Sequence, residues 1–573
     1  MRRWPYVVAT ALVSAAVAVW AIPHLGDDPS SPVTYRGNDV GPALPSLSLD
    51  TVVDPMAAKV MLLAAGIALL VQIYSTAYMG DDKRYRSYAS LIVLFLVAMV
   101  AVVATDNFFV LLIGWEVMGV CSYLLIGHAW ELPQARAGAA KAFLVTRIAD
   151  IGLLVAIIVL GQTYGSYRIS HVIVAAGLEE PRHATAIGLL LILAVAGKSA
   201  QVPLHTWLPD AMPGPTPITA LIHAATMVAA GVYLLARLLP VFETSRVAMT
   251  TLAVVAAVTM LLGALFAVAQ TDLKRALAWS TVSQLALMFA AISTADADAG
   301  ITHLVSHGAF KALLFLGCGV AMQAVGSSAL SAMGGLRRTL PVTFWTMTIG
   351  FAALAGIVPT VGFFSKDGVL DALHVATDGE GTLGDGTAWV VLVVAVLTSV
   401  VTAVYATRLW TVTFLGAPAD RPAEGAVRTE RRAMIAPLLL LAIACLVLSV
   451  GEGLHLGIGL ISTLAAVLGI AAALAVRGRG WRVRFGRPLS DELGIDAVFI
   501  RAVPAVVLGA ARVVDTVDAD GIDVYPRGGA WVAQRASWLI GAVQSSRVQV
   551  YATLVAAGAL LVVIGSVAAG VGW

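Results

Sequence analysis

The sequence has few charged residues and almost no cysteine. Charged side chains make up 12% of its 573 residues, whereas soluble domains carry about 25%. The three cysteines, Cys121, Cys318 and Cys445, lie far apart in apolar runs. They lack the spacing of a zinc or iron–sulfur site and are interpreted as buried thiols. No glycine motif of the kind that holds a phosphate is present. We therefore expect no cofactor, no metal ion and no redox chemistry on this chain, and no nucleic-acid partner.

Long apolar runs are what the sequence has instead. Hydrophobic residues make up 59% of the chain, and a helix needs roughly 20 apolar residues to cross a bilayer. The sequence predicts an all-α integral membrane protein with about 15 transmembrane helices. The predicted helices begin near residues 5, 56, 86, 107, 141, 184, 215, 248, 274, 299, 342, 387, 433, 455 and 550.

Two of the predicted helices contain both a proline and a lysine. The sixth holds Lys198 and Pro203, and the eleventh holds Pro359 and Lys366. Proline removes a backbone donor and can break a helix, and broken helices at membrane depth mark ion paths in transporters. Both helices are therefore predicted to be interrupted.

The lysine and arginine residues of the loops predict the orientation of the chain. With the N-terminus in the cytoplasm, most basic loops fall on the cytoplasmic side. These loops are 83–86, 274–275, 337–338, 428–432 and 477–487. An odd number of helices then places the C-terminus outside, in a multi-pass protein of the cell (plasma) membrane. The apolar run after Arg2 and Arg3 has no clear cleavage site, which favours a retained first helix over a signal peptide.

A stretch near the end of the chain, 488–549, is less apolar and carries seven acidic residues. They are Asp491, Glu492, Asp496, Asp515, Asp518, Asp520 and Asp523. Because this density of charge does not cross a bilayer cheaply, we expect a lateral amphipathic segment along the cytoplasmic face. Pro504, Pro526 and the pair Gly528-Gly529 argue against one unbroken helix.

Glu116 and Lys198 are charged residues within apolar runs. A charge at mid-membrane costs about 2.5–3.5 kcal/mol on insertion scales. This cost suggests that each charged residue has a partner that neutralises it and a functional role. If Glu116 moves towards Lys198 and away again, the lysine can load and release a proton. Two alternatives stay open, a glutamate at a helix end near headgroups and a static buried ion pair.

A second group of titratable residues follows. His303, His307 and Lys311 are spaced i, i+4 and i+8, so they form one polar stripe on a helix. His223 lies in another apolar run, where a lone histidine is more often a satisfied core residue. A metal site is the alternative for the histidine pair, but Lys311 would repel a cation. A chain of titratable groups with water fits a proton relay better.

The remaining candidates have supporting roles. Arg147 and Asp150 are three residues apart and can pair on one helix face, and a structural and a direct role both stay open. Lys366 follows the second expected break, and the adjacent Asp367 need not neutralise it because neighbouring helix residues point in different directions. Lys274 lies at the start of a helix. The alternative to a role in proton transfer is that its charge only sets the orientation of the chain in the membrane.

At these residues the chain resembles the antiporter-like membrane subunits of respiratory complex I, and most closely the subunit L (chain 5) type. The matching stretches together span about residues 55–415. They are Gly114–Gly127, Lys141–Asp150, Gly197–Gln201, Thr206–Met212, Gly214–Tyr233, Asp272–Arg275, Ser280–Gln284, His303–Phe315 and Gly362–Asp367.

The resemblance implies a fold and a proton path. The fold has two inverted five-helix repeats with two broken helices. The path has a glutamate–lysine pair at Glu116 and Lys198, a central relay and an exit lysine at Lys366. The central relay consists of His223, His303, His307 and Lys311.

The resemblance also implies the function. In the family, quinone reduction elsewhere in the complex drives proton pumping. The chain would be a proton-translocating subunit of an NADH:quinone oxidoreductase, a translocase that binds neither NADH nor an iron–sulfur cluster itself. Its partners would be other membrane subunits, protons, internal water and the lipid bilayer. A related cation/proton antiporter, a bicarbonate-uptake complex and a structural membrane subunit without transport stay open as alternatives.

On this basis the chain divides into five regions. N-terminal transmembrane helices occupy 1–80, the antiporter-like proton-translocating core 81–416, and additional transmembrane helices 417–487. The lateral amphipathic segment, 488–549, and a C-terminal transmembrane anchor, 550–573, follow.

Overall fold

The structure is a computed structural model that describes most of the chain. The described residues are 3–27, 33–35, 48–178, 183–379, 382–417, 430–449, 456–477, 492–543 and 547–569. Chain contacts divide it into two compact units, 1–493 and 494–573. The buried core described here belongs to the first unit.

Helices make up nearly all of the first unit. In chain order they are α1 (Trp4–Ala21), α2 (Pro55–Tyr78), α3 (Tyr85–Ala104), α4 (Phe108–Ile126), α5 (Pro133–Tyr164), α6 (Ile169–Leu178), α7 (Ala184–Lys198), α8 (Trp207–Asp210), α9 (Thr216–Ala224), α10 (Met227–Phe242), α11 (Arg246–Ala269), α12 (Leu273–Ile292), α13 (Ala297–Val325), α14 (Leu336–Thr339), α15 (Pro341–Ala355), α16 (Val361–Val375), α17 (Asp385–Leu415), α18 (Arg432–Val447) and α19 (Leu456–Arg477). Between α1 and α2, the short strand β1 (Val33–Tyr35) pairs antiparallel with β2 (Thr51–Val53).

The length and composition of the helices confirm an integral membrane protein. Within the described residues, 12 helical segments are long and apolar enough to cross a membrane. Four further apolar helices of the described residues, α6, α7, α15 and α18, are shorter. Of these, α7 and α15 are parts of interrupted segments. The expected total of about 15 crossings, the inverted repeats and the orientation stay predictions.

Both expected helix interruptions are present. The helix α7 ends at Lys198, and α8 begins at Trp207. The helix α15 ends at Ala355, and α16 begins at Val361, so Lys366 lies one turn after the second break. Lys198, in contrast, lies immediately before the first break, so the two lysines take opposite positions relative to the interruption.

A third interruption was not predicted. The helices α9 and α10 are separated at Ala225 and Thr226, directly after His223. Thr226 donates its hydroxyl to the carbonyl of Leu221 at 2.8 Å, which satisfies an acceptor at the end of α9. No proline lies between the two helices, so the proline rule gave no signal for this break.

The second unit is helical throughout its described part. It contains α20 (Ile495–Thr516), a π-helical segment (Val517–Ile522), α21 (Val524–Val543) and α22 (Val548–Ala568). The expectation that this stretch is not one unbroken helix is confirmed for the described residues, because the π-helical segment and Asp523 separate α20 from α21. The helix α20 continues through position 504, and Pro526 lies in the first turn of α21, where its missing N–H costs nothing.

A buried ion pair ties α2 to α10. Asp54 accepts a hydrogen bond from the backbone N–H of Ala57 at 2.8 Å, which caps α2, and it also pairs with Arg237 of α10. The side chains of Arg237 and Asp54 are 8% and 10% exposed. Breaking a buried pair from one side costs about 3–5 kcal/mol because the other charge stays unpaired.

We therefore expect Asp54→Ala to lower the thermal unfolding temperature of the detergent-purified protein strongly. The matched control is Asp296→Ala, because Asp296 caps α13 through the N–H of Ala299 at 2.8 Å. Loss of a cap alone costs about 1 kcal/mol. An unfolding temperature that falls equally in both variants would contradict a stabilising role for the pair with Arg237.

Candidate functional site

Side chains from α4, α5 and α7 meet around Lys198. The Nζ of Lys198 donates to Asp150 Oδ2 at 3.3 Å, and the indole Nε1 of Trp115 donates to Asp150 Oδ1 at 2.6 Å. The Nζ also lies 4.8 Å from the centroid of the Trp115 ring, a cation–π contact. The side chains of Lys198 and Asp150 are 0% and 3% exposed, so water does not screen their attraction.

The partners of the two acids differ from the prediction. Glu116 forms its ion pair with Arg147 of α5, and Lys198 pairs with Asp150. The expected pairing of Arg147 with Asp150 on one helix face is replaced by pairs to two different neighbouring helices. The reason is the rotation of α5, which turns Asp150 into the bundle and leaves the side chain of Arg147 40% exposed.

A glycine lets α7 approach α5 closely beside Lys198. A Cβ on Gly197 would lie 2.1 Å from the Cβ of Ala149, closer than real side chains allow. The carbonyl of Gly197 accepts a hydrogen bond from Trp207 Nε1 across the break at 2.8 Å. Close approach of α7 to α5 and the bond to Trp207 thus fix the end of α7 and its lysine.

The histidine and lysine stripe of α13 is buried, as predicted. His303 Nδ1 lies 2.9 Å from Ser365 Oγ, and His303 Nε2 lies 3.2 Å from Gln284 Oε1. Lys311 donates to the carbonyl of Leu277 at 3.1 Å and to the hydroxyl of Ser280. These contacts join the stripe to α12 on one side and to α16 on the other.

His223 and His307 are buried without a hydrogen-bond partner among the described residues. Both are 0% exposed, and within that part of the chain neither ring nitrogen of either residue has a hydrogen-bond partner. Their rings pack against Phe315 and Phe310, with centroid distances of 4.7 and 5.3 Å. Within the described residues, no group of three or more His, Cys, Asp or Glu side chains could hold a metal ion. Buried water is the usual partner of such polar atoms.

The remaining candidates lie at the two ends of this arrangement. Lys366 donates to the carbonyl of Leu354 before the second break. Asp367 accepts a hydrogen bond from Ser462 of α19 at 3.5 Å, away from Lys366. Lys274, at the second residue of α12, donates to backbone carbonyls at 2.7 and 2.6 Å.

Several polar partners were missed from sequence. Trp115, Ser280, Gln284 and Ser365 contact the titratable residues directly. In the sequence, each is an ordinary polar or aromatic residue of a helix. Only its contact with a titratable residue on another helix identifies it as part of the site. A weak signal was available for Trp115, which is adjacent to Glu116 in an apolar run.

Comparison with known families agrees with this geometry. The family described as NADH:quinone oxidoreductase/Mrp antiporter, TM, matches residues 105–402. The family described as NADH-Ubiquinone oxidoreductase (complex I), chain 5 N-terminus, matches residues 44–89. The first match covers more than half of the chain and contains every predicted site residue from Glu116 to Asp367.

Curated relatives carry names of respiratory subunits. The NADH-quinone oxidoreductase subunit L of Mycobacterium tuberculosis is 42% identical over 397 residues, which cover 68% of this chain and 61% of that protein. The F(420)H(2) dehydrogenase subunit L of Methanosarcina mazei is 39% identical over 399 residues, which cover 64% of this chain and 58% of that protein. The chain thus spans about 60% of the length of these relatives.

Solved structures share the fold. A chain of the Mrp complex from Dietzia sp. superposes with a TM-score of 0.78 at 29% identity, over 95% of this chain and 61% of that one. A chain of the membrane-bound sulfane sulfur reductase, an archaeal respiratory membrane complex, superposes with a TM-score of 0.66 at 24% identity, over 82% of this chain and 93% of that one. The chain therefore belongs to the NADH:quinone oxidoreductase/Mrp antiporter family of membrane proteins, among the antiporter-like subunits of the complex I subunit L (chain 5) type.

Proposed function

We propose that the chain is a proton-translocating membrane subunit of an NADH:quinone oxidoreductase. Quinone reduction in other subunits would drive protons through its own titratable side chains. The observation that carries the proposal is the burial of Lys198, Lys311 and Lys366, each 3% exposed or less. Ionisable residues at this depth are costly and mark ion paths by default.

The proposed relay follows the contacts from one helix to the next. It begins at the Glu116–Arg147 and Lys198–Asp150 pairs and continues to the central histidines. The ring of His307 lies 6.4 Å from the ring of His303, centroid to centroid, and Lys311 follows one turn later on the same helix. The relay ends at Lys366, whose neighbour Ser365 contacts His303.

Internal water completes the proposed relay. Among the described residues, no hydrogen bond joins Lys198 to His223. Ser199, next to Lys198, instead donates to the carbonyl of Val228 just beyond the break after His223, at 2.7 Å. The unpartnered nitrogens of His223 and His307 are suitable partners for bridging waters. A chain of water and imidazole can pass a proton without moving the helices far.

The exposure of the Glu116–Arg147 pair supports a neighbouring membrane subunit. Their side chains are 25% and 40% exposed although Glu116 is the ninth residue of the 19-residue helix α4. A charged pair facing lipid at mid-depth is costly, so we propose that another membrane subunit covers it. The movement of that subunit against Glu116 would then couple the two proteins.

The substitution His303→Gln tests the relay. Glutamine can keep hydrogen bonds to Ser365 and Gln284 but cannot take up a proton. We expect proton translocation by the assembled complex in membrane vesicles to slow by about 100-fold, the scale of a lost proton-transfer group. The control is His171→Gln, at an exposed position of α6. Proton translocation at the control's rate in His303→Gln would contradict the relay.

A cation/proton antiporter subunit is the second candidate. The superposition on the Mrp complex over 95% of this chain favours it. Affinity purification of the tagged chain from its native membrane, with mass spectrometry, distinguishes the two. Recovery of NADH-oxidising and iron–sulfur subunits supports the oxidoreductase, and recovery of small antiporter subunits supports the alternative.

A further inference from the structure

A cavity outside the buried relay opens at one end of the bundle. It has a volume of about 460 Å³. The ends of α2, α4 and α13 and the beginnings of α9 and α12 surround it, so it lies at the end that carries the basic loops Lys83-Arg84 and Lys274-Arg275. We name it the basic-end cavity.

The wall of the basic-end cavity carries charges of both signs. Asp82 Oδ2 lies 2.8 Å from His128 Nε2, and both line the cavity. Burial raises the pKa of the Asp82 carboxyl, but hydrogen bonds from His128 and from the Arg84 N–H outweigh it and bring the pKa below its usual value. Asp82 is therefore ionised at neutral pH and attracts protons and cations to this wall.

Lys274 lies at the inner end of the cavity. The residue is 4% exposed and lines the cavity. Its Nζ donates to the carbonyls of Met212 and Gly214 at 2.7 and 2.6 Å. An ammonium group has three donors, so one donor is left for water in the cavity.

The helix α12 leads from Lys274 to the relay. The carbonyl of Leu277 and the hydroxyl of Ser280, on the next two turns of α12, both accept from Lys311. At 1.5 Å per residue, Lys274 and Ser280 are about 9 Å apart along the axis. Bridging waters over this distance would connect the two lysines.

We propose that the basic-end cavity is the mouth through which protons enter from the basic side, and that Lys274 passes them to Lys311. This inference rests on the proposed function and deepens it, because it names the cavity and the lysine through which the proposed relay takes up protons. Protons that enter through this cavity join the relay at Lys311, between the ion pairs around Lys198 and the exit lysine Lys366.

The first test measures access to the cavity. Ala129 lines it, and the three native cysteines are buried, so they give little background. In membranes that contain the assembled complex, a membrane-impermeant maleimide should label Ala129→Cys at least about tenfold faster from the basic side than from the other side. Ala297→Cys, at the opposite end of the bundle at the start of α13, is the matched control and should show the reverse preference.

The second test blocks the cavity and measures proton translocation. Labelling Ala129→Cys with a bulky maleimide should slow translocation at least about tenfold, while the unlabelled variant matches the wild type. Lys274→Met should slow translocation by about 100-fold. Full labelling with an unchanged rate, or labelling only from the opposite side, would overturn the inference. A wild-type complex that translocates no protons would instead contradict the proposed function, while the labelling pattern stays readable.

Discussion

Proton translocation is expected to be lost when Lys198 is replaced by alanine. The Lys198 ammonium contacts both Asp150 and the face of Trp115 in a site with 0% exposure. Removing it takes a titratable group out of the relay and leaves the Asp150 carboxylate without its cation. We expect the rate in membrane vesicles, driven by NADH oxidation, to fall by more than about 100-fold.

Loss of function must be separated from loss of the folded protein. An unpaired buried charge costs about 3–5 kcal/mol, so Lys198→Ala is expected to reduce the amount of assembled protein as well. The double variant Lys198→Met with Asp150→Asn neutralises both partners and should restore the amount but not translocation. Lys59→Ala is the matched control, because Lys59 pairs with Asp298 at an exposed position. Normal translocation per assembled complex in either Lys198 variant would remove this lysine from the relay.

A large effect on stability is expected at Gly362, in the first turn of α16. A Cβ there would lie 1.9 Å from the carbonyl oxygen of Ala353, closer than any real contact. Backbone on both sides of the second break would have to separate, which costs more than the 1–3 kcal/mol typical of overpacking, or about 4 kcal/mol. Gly362→Ala should therefore lower the thermal unfolding temperature and the yield of purified protein.

Gly368 on the same helix is the matched control. A Cβ at Gly368 meets nothing within 4 Å, and alanine favours the helix by about 1 kcal/mol over glycine. Gly368→Ala should therefore leave the unfolding temperature unchanged or raise it. Equal unfolding temperatures for the two variants would show that α16 tolerates a shift away from Ala353.

Sequence reasoning predicted the helices and the two proline-associated breaks because their causes are local. An apolar run and a proline act within a few residues. One start was wrong, since α5 begins at Pro133 and not near 141. Because Arg136 and Lys141 interrupt the apolar pattern, the first two turns of α5 were not predicted as part of the helix. They lie at the solvent-facing end of α5, where Lys141 pairs with Asp210 at 2.6 Å.

The pairing of charges could not be predicted in the same way. Glu116, Arg147, Asp150 and Lys198 were all identified, but which acid meets which base depends on how α4, α5 and α7 are rotated against each other. That rotation is set by close packing, such as the contact of Gly197 with Ala149. The break between α9 and α10 was also missed, because neither a proline nor a glycine marks it at Ala225 and Thr226.

The arrangement of the titratable residues also determines where the membrane voltage acts. Lys311 is the central residue of the 29-residue helix α13, and Lys198 and Lys366 lie beside breaks within their own segments. If the proposed relay operates, a proton moving along such a row would travel within the plane of the membrane and cross almost none of the electric field. Moving one proton across the membrane potential costs about 2.3 kcal/mol per 100 mV. That electrical work is then done at proton uptake and at proton release, where the proton moves perpendicular to the row. Voltage would slow those two steps and leave transfer between the lysines unchanged.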